Sequence, residues 1–309
     1  EKTKQVKKLI IFVSIFTILI ILSVNYYFEY IGLGDPVRYD KDVVYGYAPK
    51  ANQKKMRFKK SLITINESGL RSIESWKDSN KKKILFIGDS VTYGGSYIDD
   101  KEIFSHLVCD ELKRFTCGNA GVNAYGIINM VHRSRYDERI FDADIVIFLF
   151  SGFNFTREYA GSNIAHFYLN RDNFFLPGLM EAISFVFTKY DINNFISKKN
   201  DTDKYDHKKE LIDYSLKLLV SETERLKREN KVVKIFYTIE KDDMQSKKLN
   251  NQYILNNLKS LDFDNFYSLE NILIKDEYFV DNVHLSHKGH AVVAEKINPD
   301  TKNASQNDI

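Results

Sequence analysis

The chain has 309 residues, of which 43% are hydrophobic and 28% charged, with 45 Lys and Arg against 42 Asp and Glu. This is the composition of a globular protein, and a net charge of +3 spread along the sequence excludes the concentrated basic surface of a nucleic-acid binder. Two cysteines are too few for a disulfide framework or a four-ligand zinc site, and the length fits one large domain with an appendage or two small domains.

The N-terminal segment predicts a membrane anchor. Several lysines between residues 2 and 8 precede an apolar run, Leu9–Val24, whose polar members are only serine and threonine, and aromatic residues follow at 26–28. The run can cross a bilayer as one helix, and lysines before it place the N-terminus in the cytoplasm and the rest of the chain outside. A cleaved signal peptide is the alternative, but no small-x-small cleavage site stands near residues 22–30, and the apolar run is longer than usual for a signal peptide. We therefore assign residues 1–28 to a cytoplasmic stub and transmembrane anchor.

The rest of the chain divides into a linker and one α/β domain. Residues 29–82 predict a linker or collar with two short strands, Val43–Tyr47 and Leu62–Asn66. From residue 83 to 298, apolar runs such as KILFIGDS and ADIVIFLF alternate with helical segments, which indicates a mainly parallel sheet covered by helices on both faces. The pattern is interrupted at about 155–206 by an aromatic-rich insertion, which could be a substrate lid, a partner surface or core packing. Residues 299–309 are expected to form a frayed tail.

Four polar motifs stand at the ends of the predicted strands or before the last helix. They are Gly88-Asp89-Ser90, the segment 119–126, Gly152-Phe153-Asn154 and the segment 281–284, which reads Asp-Asn-Val-His. In an open parallel sheet, ligands bind outside the carboxyl ends of the strands, so we expect the strand-end motifs to meet along one edge.

The order of these motifs resembles that of the SGNH (GDSL-like) hydrolase superfamily over residues 83–297. The resemblance implies a flavodoxin-like three-layer α/β/α sandwich, with Ser90 as nucleophile, His284 as base and Asp281 as its orienting carboxylate. It also implies an oxyanion hole formed by the side chain of Asn154 and by two backbone N–H groups. These belong to Ser90 and a second-motif residue, for which Ala124 fits best and Gly121 and Gly126 are alternatives. The chain departs from the family pattern in having Ala124 for glycine and Phe155 where an aspartate usually follows the asparagine.

Elementary chemistry supports the same residues. A serine hydroxyl needs a base to become a nucleophile, and a neutral imidazole can act as that base near pH 7. A carboxylate three residues before His284 can reach the other ring nitrogen and hold its tautomer. His287 and His290 invite a metal interpretation, but the three histidines lack a chelating pattern, so neither a metal nor a cofactor is predicted.

The expected activity is therefore cleavage of an ester-linked acyl group, which the resemblance and the compartment suggest is an acetyl group on a cell-envelope or exported glycan. An O-acyltransferase using the same serine, and a catalytically silent glycan-binding scaffold, are the alternatives. A glycan on the sequon Asn154-Phe155-Thr156 would block the site, which favours a bacterial envelope. Cys109 and Cys117 could form a disulfide outside the cell or be two buried thiols. No nucleic acid partner is expected, and no protein partner is predicted.

Overall fold

The computed structural model describes residues 2–161, 175–190, 203–241, 249–261 and 265–304 of the chain. Within these ranges the strands are β1 Tyr39–Asp42, β2 Gly46–Pro49, β3 Gln53–Arg57, β4 Ser61–Ile65, β5 Lys82–Gly88, β6 Phe115–Asn119, β7 Ile145–Phe150, β8 Val232–Tyr237 and β9 Phe266–Ser268. The α-helices are α1 Lys2–Tyr30, α2 Ser90–Tyr93, α3 Phe104–Glu111, α4 Ile127–Tyr136, α5 Pro177–Tyr190, α6 Asp203–Arg228, α7 Leu249–Ser260 and α8 His287–Ala304. Short 3₁₀ turns occur at Asp100–Glu102, Glu138–Ile140, Gly152–Thr156 and Asp276–Tyr278.

A five-stranded sheet forms the centre of the domain. Its order is β6-β5-β7-β8-β9 with every neighbouring pair parallel, which is the doubly wound arrangement 2-1-3-4-5. Strand β7 is buried along its whole length, as expected for a strand covered on both faces. The flanking helices pack in two groups, α3 with α8 and α4 with α6. The predicted α/β/α architecture is confirmed.

The segment 29–82 is more ordered than a linker. Its four strands form two antiparallel hairpins, β1–β2 and β3–β4, and its side chains Ile63, Ile65, Leu70 and Trp76 belong to the main hydrophobic core. The predicted strand Val43–Tyr47 is wrong in its bounds, because residues 43–45 form the turn of the first hairpin. The carboxylate of Asp42 accepts the N–H groups of residues 44 and 45 and so closes that turn.

Arg71 joins this segment to the loop that follows the nucleophile motif. Its Nε donates to Asp100 Oδ1 at 2.9 Å, and its Nη atoms donate to the carbonyls of Tyr93, Gly95 and Ile98. Its backbone also bridges β4 and Asn119 at the end of β6. The guanidinium is buried and paired with Asp100, and its hydrogen bonds fix the backbone of the loop after Ser90.

Helix α1 projects from the domain with its residues exposed, apart from the buried Asn25 and the partly covered Phe28 near its C-terminal end. At 1.5 Å per residue its 29 residues extend about 44 Å, more than the roughly 30 Å of a bilayer's hydrocarbon core. It is long and apolar enough to be a candidate membrane span, a test that a signal sequence would also pass.

Cys109 and Cys117 form a disulfide that ties α3 to β6, which settles the alternative left open by the sequence. Helix α8 continues beyond the predicted domain end to Ala304, and residues 305–309 lie outside the described part of the chain.

Within the aromatic insertion, Phe155 is buried against Phe150 at 5.2 Å between ring centroids, whereas Phe175 is exposed. Residues 162–174 and 191–202 lie outside the described residues. The lid hypothesis for the insertion therefore stays a prediction.

Candidate active site

Ser90 is held at the turn between β5 and α2. Gly88 precedes it in close contact with Thr92 and with the carbonyl of Leu149, where a β-carbon would collide with both. Asp89 caps the helix by accepting the N–H of Val91 at 2.9 Å. This geometry places the side chain of Ser90 at the carboxyl end of β5.

Ser90, His284 and Asp281 form a continuous chain of hydrogen bonds. His284 Nε2 lies 2.9 Å from Ser90 Oγ, and His284 Nδ1 lies 2.7 Å from Asp281 Oδ2. The other oxygen of Asp281 accepts the backbone N–H groups of Val283 and His284 at 2.9 Å and 2.8 Å. The carboxylate is therefore fixed by its own loop, and it can hold the imidazole with its proton on Nδ1 and its lone pair towards Ser90.

The electrostatics of this chain favour a basic imidazole. Burial alone would lower the pKa of His284, but the hydrogen bond and charge of Asp281, with the charge of Asp89, outweigh it and raise that pKa above its ordinary value. Burial would likewise raise the pKa of Asp281, yet the hydrogen bonds from His284 and Val283 hold it well below its usual range. Asp281 therefore stays ionised while His284 exchanges a proton.

Asn154 lies beside the nucleophile turn and is tied to it through Asp89. Its Nδ2 is 2.9 Å from Asp89 Oδ2 and 3.0 Å from the carbonyl of Tyr125, and its Oδ1 accepts the N–H of Ser151 at 2.8 Å. The residue is fully buried, so its orientation is determined by these partners. Both amide hydrogens have protein acceptors in this arrangement.

The three candidates of the second motif differ in their surroundings. The N–H of Gly121 already donates to Asn119 Oδ1 at 2.9 Å, and a side chain there would collide with the backbone of Tyr93. Among the described residues, the N–H groups of Ala124 and Gly126 have no protein acceptor. Both flank Tyr125, whose carbonyl meets Asn154. Ala124 has a φ of 65°, a left-handed conformation that glycine adopts without strain.

Two residues near the site were not assigned a role from the sequence. Asp89 stood within a motif but was passed over, and its carboxylate both caps α2 and holds Asn154. Arg157 Nη1 lies 3.7 Å from Asp89 Oδ2 and 3.3 Å from the carbonyl of Tyr125, with its guanidinium over the ring of Phe153. The order of motifs could have pointed to Asp89, whereas nothing in the local sequence singles out Arg157.

His290, a candidate metal ligand in the sequence, has a structural role. His290 is fully buried, stacks on Phe104 and accepts the N–H of that residue through Nδ1 at 3.3 Å. Burial, with the charge of Arg71, lowers its pKa to about 3, so it remains neutral. Among the described residues, no group of three His, Cys, Asp or Glu side chains is arranged to hold a metal ion.

Comparison with known proteins finds no matching family profile and no matching curated relative. The chain is similar to several solved structures, three of which follow. A lipolytic protein of the G-D-S-L family from Veillonella parvula is 14% identical with a TM-score of 0.41, covering 70% of this chain and 95% of its own. The acetyl xylan esterase AlAXEase is 17% identical with a TM-score of 0.45, covering 70% and 97%. A lipase/acylhydrolase from Enterococcus faecalis is 14% identical with a TM-score of 0.44, covering 72% and 96%.

Ser90, His284 and Asp281 thus meet beyond the carboxyl end of β5, in a sheet of order 2-1-3-4-5.

Proposed function

We propose that this chain is a serine esterase in which Ser90 is the nucleophile, His284 the general base and Asp281 the residue that orients the base. The observation that carries the proposal is the unbroken hydrogen-bond chain from Asp281 through His284 to Ser90, with distances of 2.7 Å and 2.9 Å. These three side chains come from two regions 194 residues apart, so chance proximity of local neighbours does not explain their arrangement.

The reaction would proceed in two halves. Neutral His284 takes the proton of Ser90 Oγ while that oxygen bonds to the ester carbonyl carbon. The protonated ring then gives the proton to the departing alcohol oxygen as the ester C–O bond breaks. In the second half, His284 takes a proton from a water molecule as the water oxygen bonds to the acyl carbon. The bond between that carbon and Ser90 Oγ then breaks, the acid leaves, and the proton passes from His284 to Oγ.

The developing oxyanion needs donors that are already in place. The N–H of Ser90 stands at the start of α2, where no acceptor exists within the helix, so it is free to serve. Asn154 contributes to the oxyanion hole when its Nδ2–H group donates to the substrate oxygen in place of the Tyr125 carbonyl. The full charge of an oxyanion makes it the stronger acceptor.

For the second backbone donor we retain Ala124, with Gly126 as the alternative. The N–H of Gly121 is already committed to Asn119.

The substrate we propose is an acetyl ester on a cell-envelope or exported glycan, reached on the outer side of the membrane. The resemblance to GDSL-like hydrolases supports ester chemistry, and the candidate span α1, with lysines before it, supports an outward-facing domain. A disulfide between Cys109 and Cys117 fits the same oxidising compartment.

The test is hydrolysis of 4-nitrophenyl acetate by the detergent-solubilised full chain and by its Ser90→Ala variant. The variant should lose at least about 10³-fold in kcat/KM, because no other group replaces the nucleophile. Ser260→Ala, which alters a serine on α7, is the matched control and should retain full activity. A Ser90→Ala variant with near wild-type turnover would refute the assignment.

The same assay with an acceptor oligosaccharide distinguishes esterase from O-acyltransferase. Both reactions form an acyl-serine and differ in whether water or a sugar hydroxyl attacks it. Mass analysis that finds free acetate supports the esterase, whereas an acetylated oligosaccharide identifies a transferase. Absence of both products would favour a silent glycan-binding scaffold.

A further inference from the structure

Helix α5 carries apolar side chains that the described part of the domain leaves uncovered. Phe175, just before the helix, and Met180, Ile183 and Phe185 within it expose between 38% and 86% of their surfaces. A soluble surface seldom presents so many large apolar residues on one short helix.

Helix α5 lies beside the C-terminal end of α1. The N–H of Leu179 donates to Asn25 Oδ1 at 3.1 Å, and a β-carbon at Gly178 would lie 2.8 Å from the carbonyl oxygen of Asn25. Ile21 and Val24 of α1 are each 38% exposed, less than the residues earlier in the apolar run. Helix α5 therefore lies against the end of the candidate membrane span, where that span would leave the bilayer.

Helix α5 is also fixed to the domain, through its buried residue Glu181. Glu181 forms an ion pair with Arg57 on β3, with both side chains about 1% exposed, and it accepts the N–H of Gly34 at 2.5 Å. Breaking this buried ion pair would leave an uncompensated charge, which is strongly unfavourable. The pair therefore holds α5 in one orientation relative to the domain.

The β3–β4 turn brings lysines to the same end of α1. This turn packs on Gly32, just after the helix, and its Lys59 lies over the ring of Tyr30. Lys59 and the next residue, Lys60, are both exposed. Lysines near an anionic bilayer surface are attracted to its headgroups.

We propose that α5 is a second membrane contact, which lies in the interfacial layer of the leaflet through which α1 leaves the bilayer. Its apolar residues contact the acyl-chain boundary while Lys59 and Lys60 contact anionic lipid headgroups. Two contacts hold the domain in a fixed orientation, whereas a single helix would leave it free to swing. This inference rests on α1 remaining in the membrane and is independent of the proposed esterase activity.

The test uses the full chain in lipid nanodiscs with spin labels at single introduced cysteines. The native cysteines are paired, so labels attach selectively to Met180→Cys, Ile183→Cys or Phe185→Cys. Ile15→Cys within α1 is the membrane reference, and Tyr136→Cys, 51% exposed on α4, is the water reference. Collisions with oxygen report lipid, and collisions with a water-soluble nickel chelate report solvent.

We expect the three α5 labels to resemble Ile15→Cys rather than Tyr136→Cys. Labels on α5 that match the Tyr136 reference would overturn the proposal, as would a water-like Ile15 label. Spin–spin broadening at α5 without oxygen access would mean that a second copy covers the helix, which also overturns it.

The charge component has its own comparison. Nanodiscs with about a third anionic lipid should bury the α5 labels more deeply than zwitterionic ones. The double variant Lys59→Gln, Lys60→Gln should abolish that difference. The matched double variant Lys77→Gln, Lys113→Gln, at lysines exposed elsewhere on the domain, should preserve it. Equal effects of the two double variants would refute a specific role for the turn.

Discussion

Replacement of Asp281 by asparagine isolates what the carboxylate contributes to the base. The amide is nearly isosteric and its oxygen can still accept the two backbone N–H groups of the loop. It removes the negative charge that faces His284 Nδ1 at 2.7 Å, and it permits the ring to adopt the wrong tautomer.

The size of the effect follows from the exposure of the pair. A hydrogen bond to a charged group contributes roughly 1.5–3 kcal/mol, which at about 1.36 kcal/mol per decade corresponds to an about 10- to 150-fold loss in kcat/KM. A fully buried triad aspartate costs about 10⁴-fold when it is replaced by asparagine. The side chain of Asp281 is 55% exposed, so water screens its charge and the smaller range applies.

The pH profile gives an independent readout. His284 must be neutral to accept the serine proton, so activity should fall as the pH drops through the raised pKa of this histidine. Asp281→Asn removes the main cause of that elevation, and the acid limb should move to lower pH. The assay is kcat/KM for 4-nitrophenyl acetate from pH 5 to 9.

Asp276→Asn is the matched control for this experiment. Asp276 lies five residues earlier in the same loop region, pairs with Lys241 at 3.4 Å and is largely exposed. Its replacement should change neither rate nor profile. An unchanged acid limb in Asp281→Asn would refute the argument that this carboxylate sets the basicity of His284.

Three further predictions concern the frame of the site. Ala124→Gly should keep full esterase activity and change the free energy of unfolding by no more than about 1 kcal/mol, because glycine tolerates the positive φ. Ala124→Val should add about 1–3 kcal/mol of backbone strain and lower the turnover. Equal esterase activities of the two variants would refute Ala124 as the oxyanion donor. Replacing Cys109 and Cys117 by alanine should lower the free energy of unfolding by about 2–3 kcal/mol in a urea titration, since the bridge closes a short loop, with kcat unchanged. Arg71→Met leaves Asp100 buried without its partner and should lower the free energy of unfolding by about 3–5 kcal/mol in the same titration. An unchanged free energy of unfolding would mean that the Asp100 carboxyl is protonated rather than paired with Arg71.

The sequence by itself determined the sheet and the catalytic candidates. Strand β7 reads as six consecutive apolar residues because it is covered on both faces, and that pattern is visible without any contact information. Ser90 and His284 were recognisable because their motifs stand after the first predicted strand of the domain and before its last helix, in the order on which the resemblance to SGNH hydrolases rests.

Only the tertiary structure decided how these parts are supported. Three contacts that support the site and α5 join distant residues. Asn154 bonds to Asp89, 65 positions away, and Arg71 bonds to Asp100, 29 positions away. Gly34 bonds to Glu181, 147 positions away. Such pairings leave no local periodicity, since each partner alone is an ordinary polar residue. The segment 29–82 illustrates the same limit, because its short polar strands acquire order by pairing and packing against a core formed by distant residues.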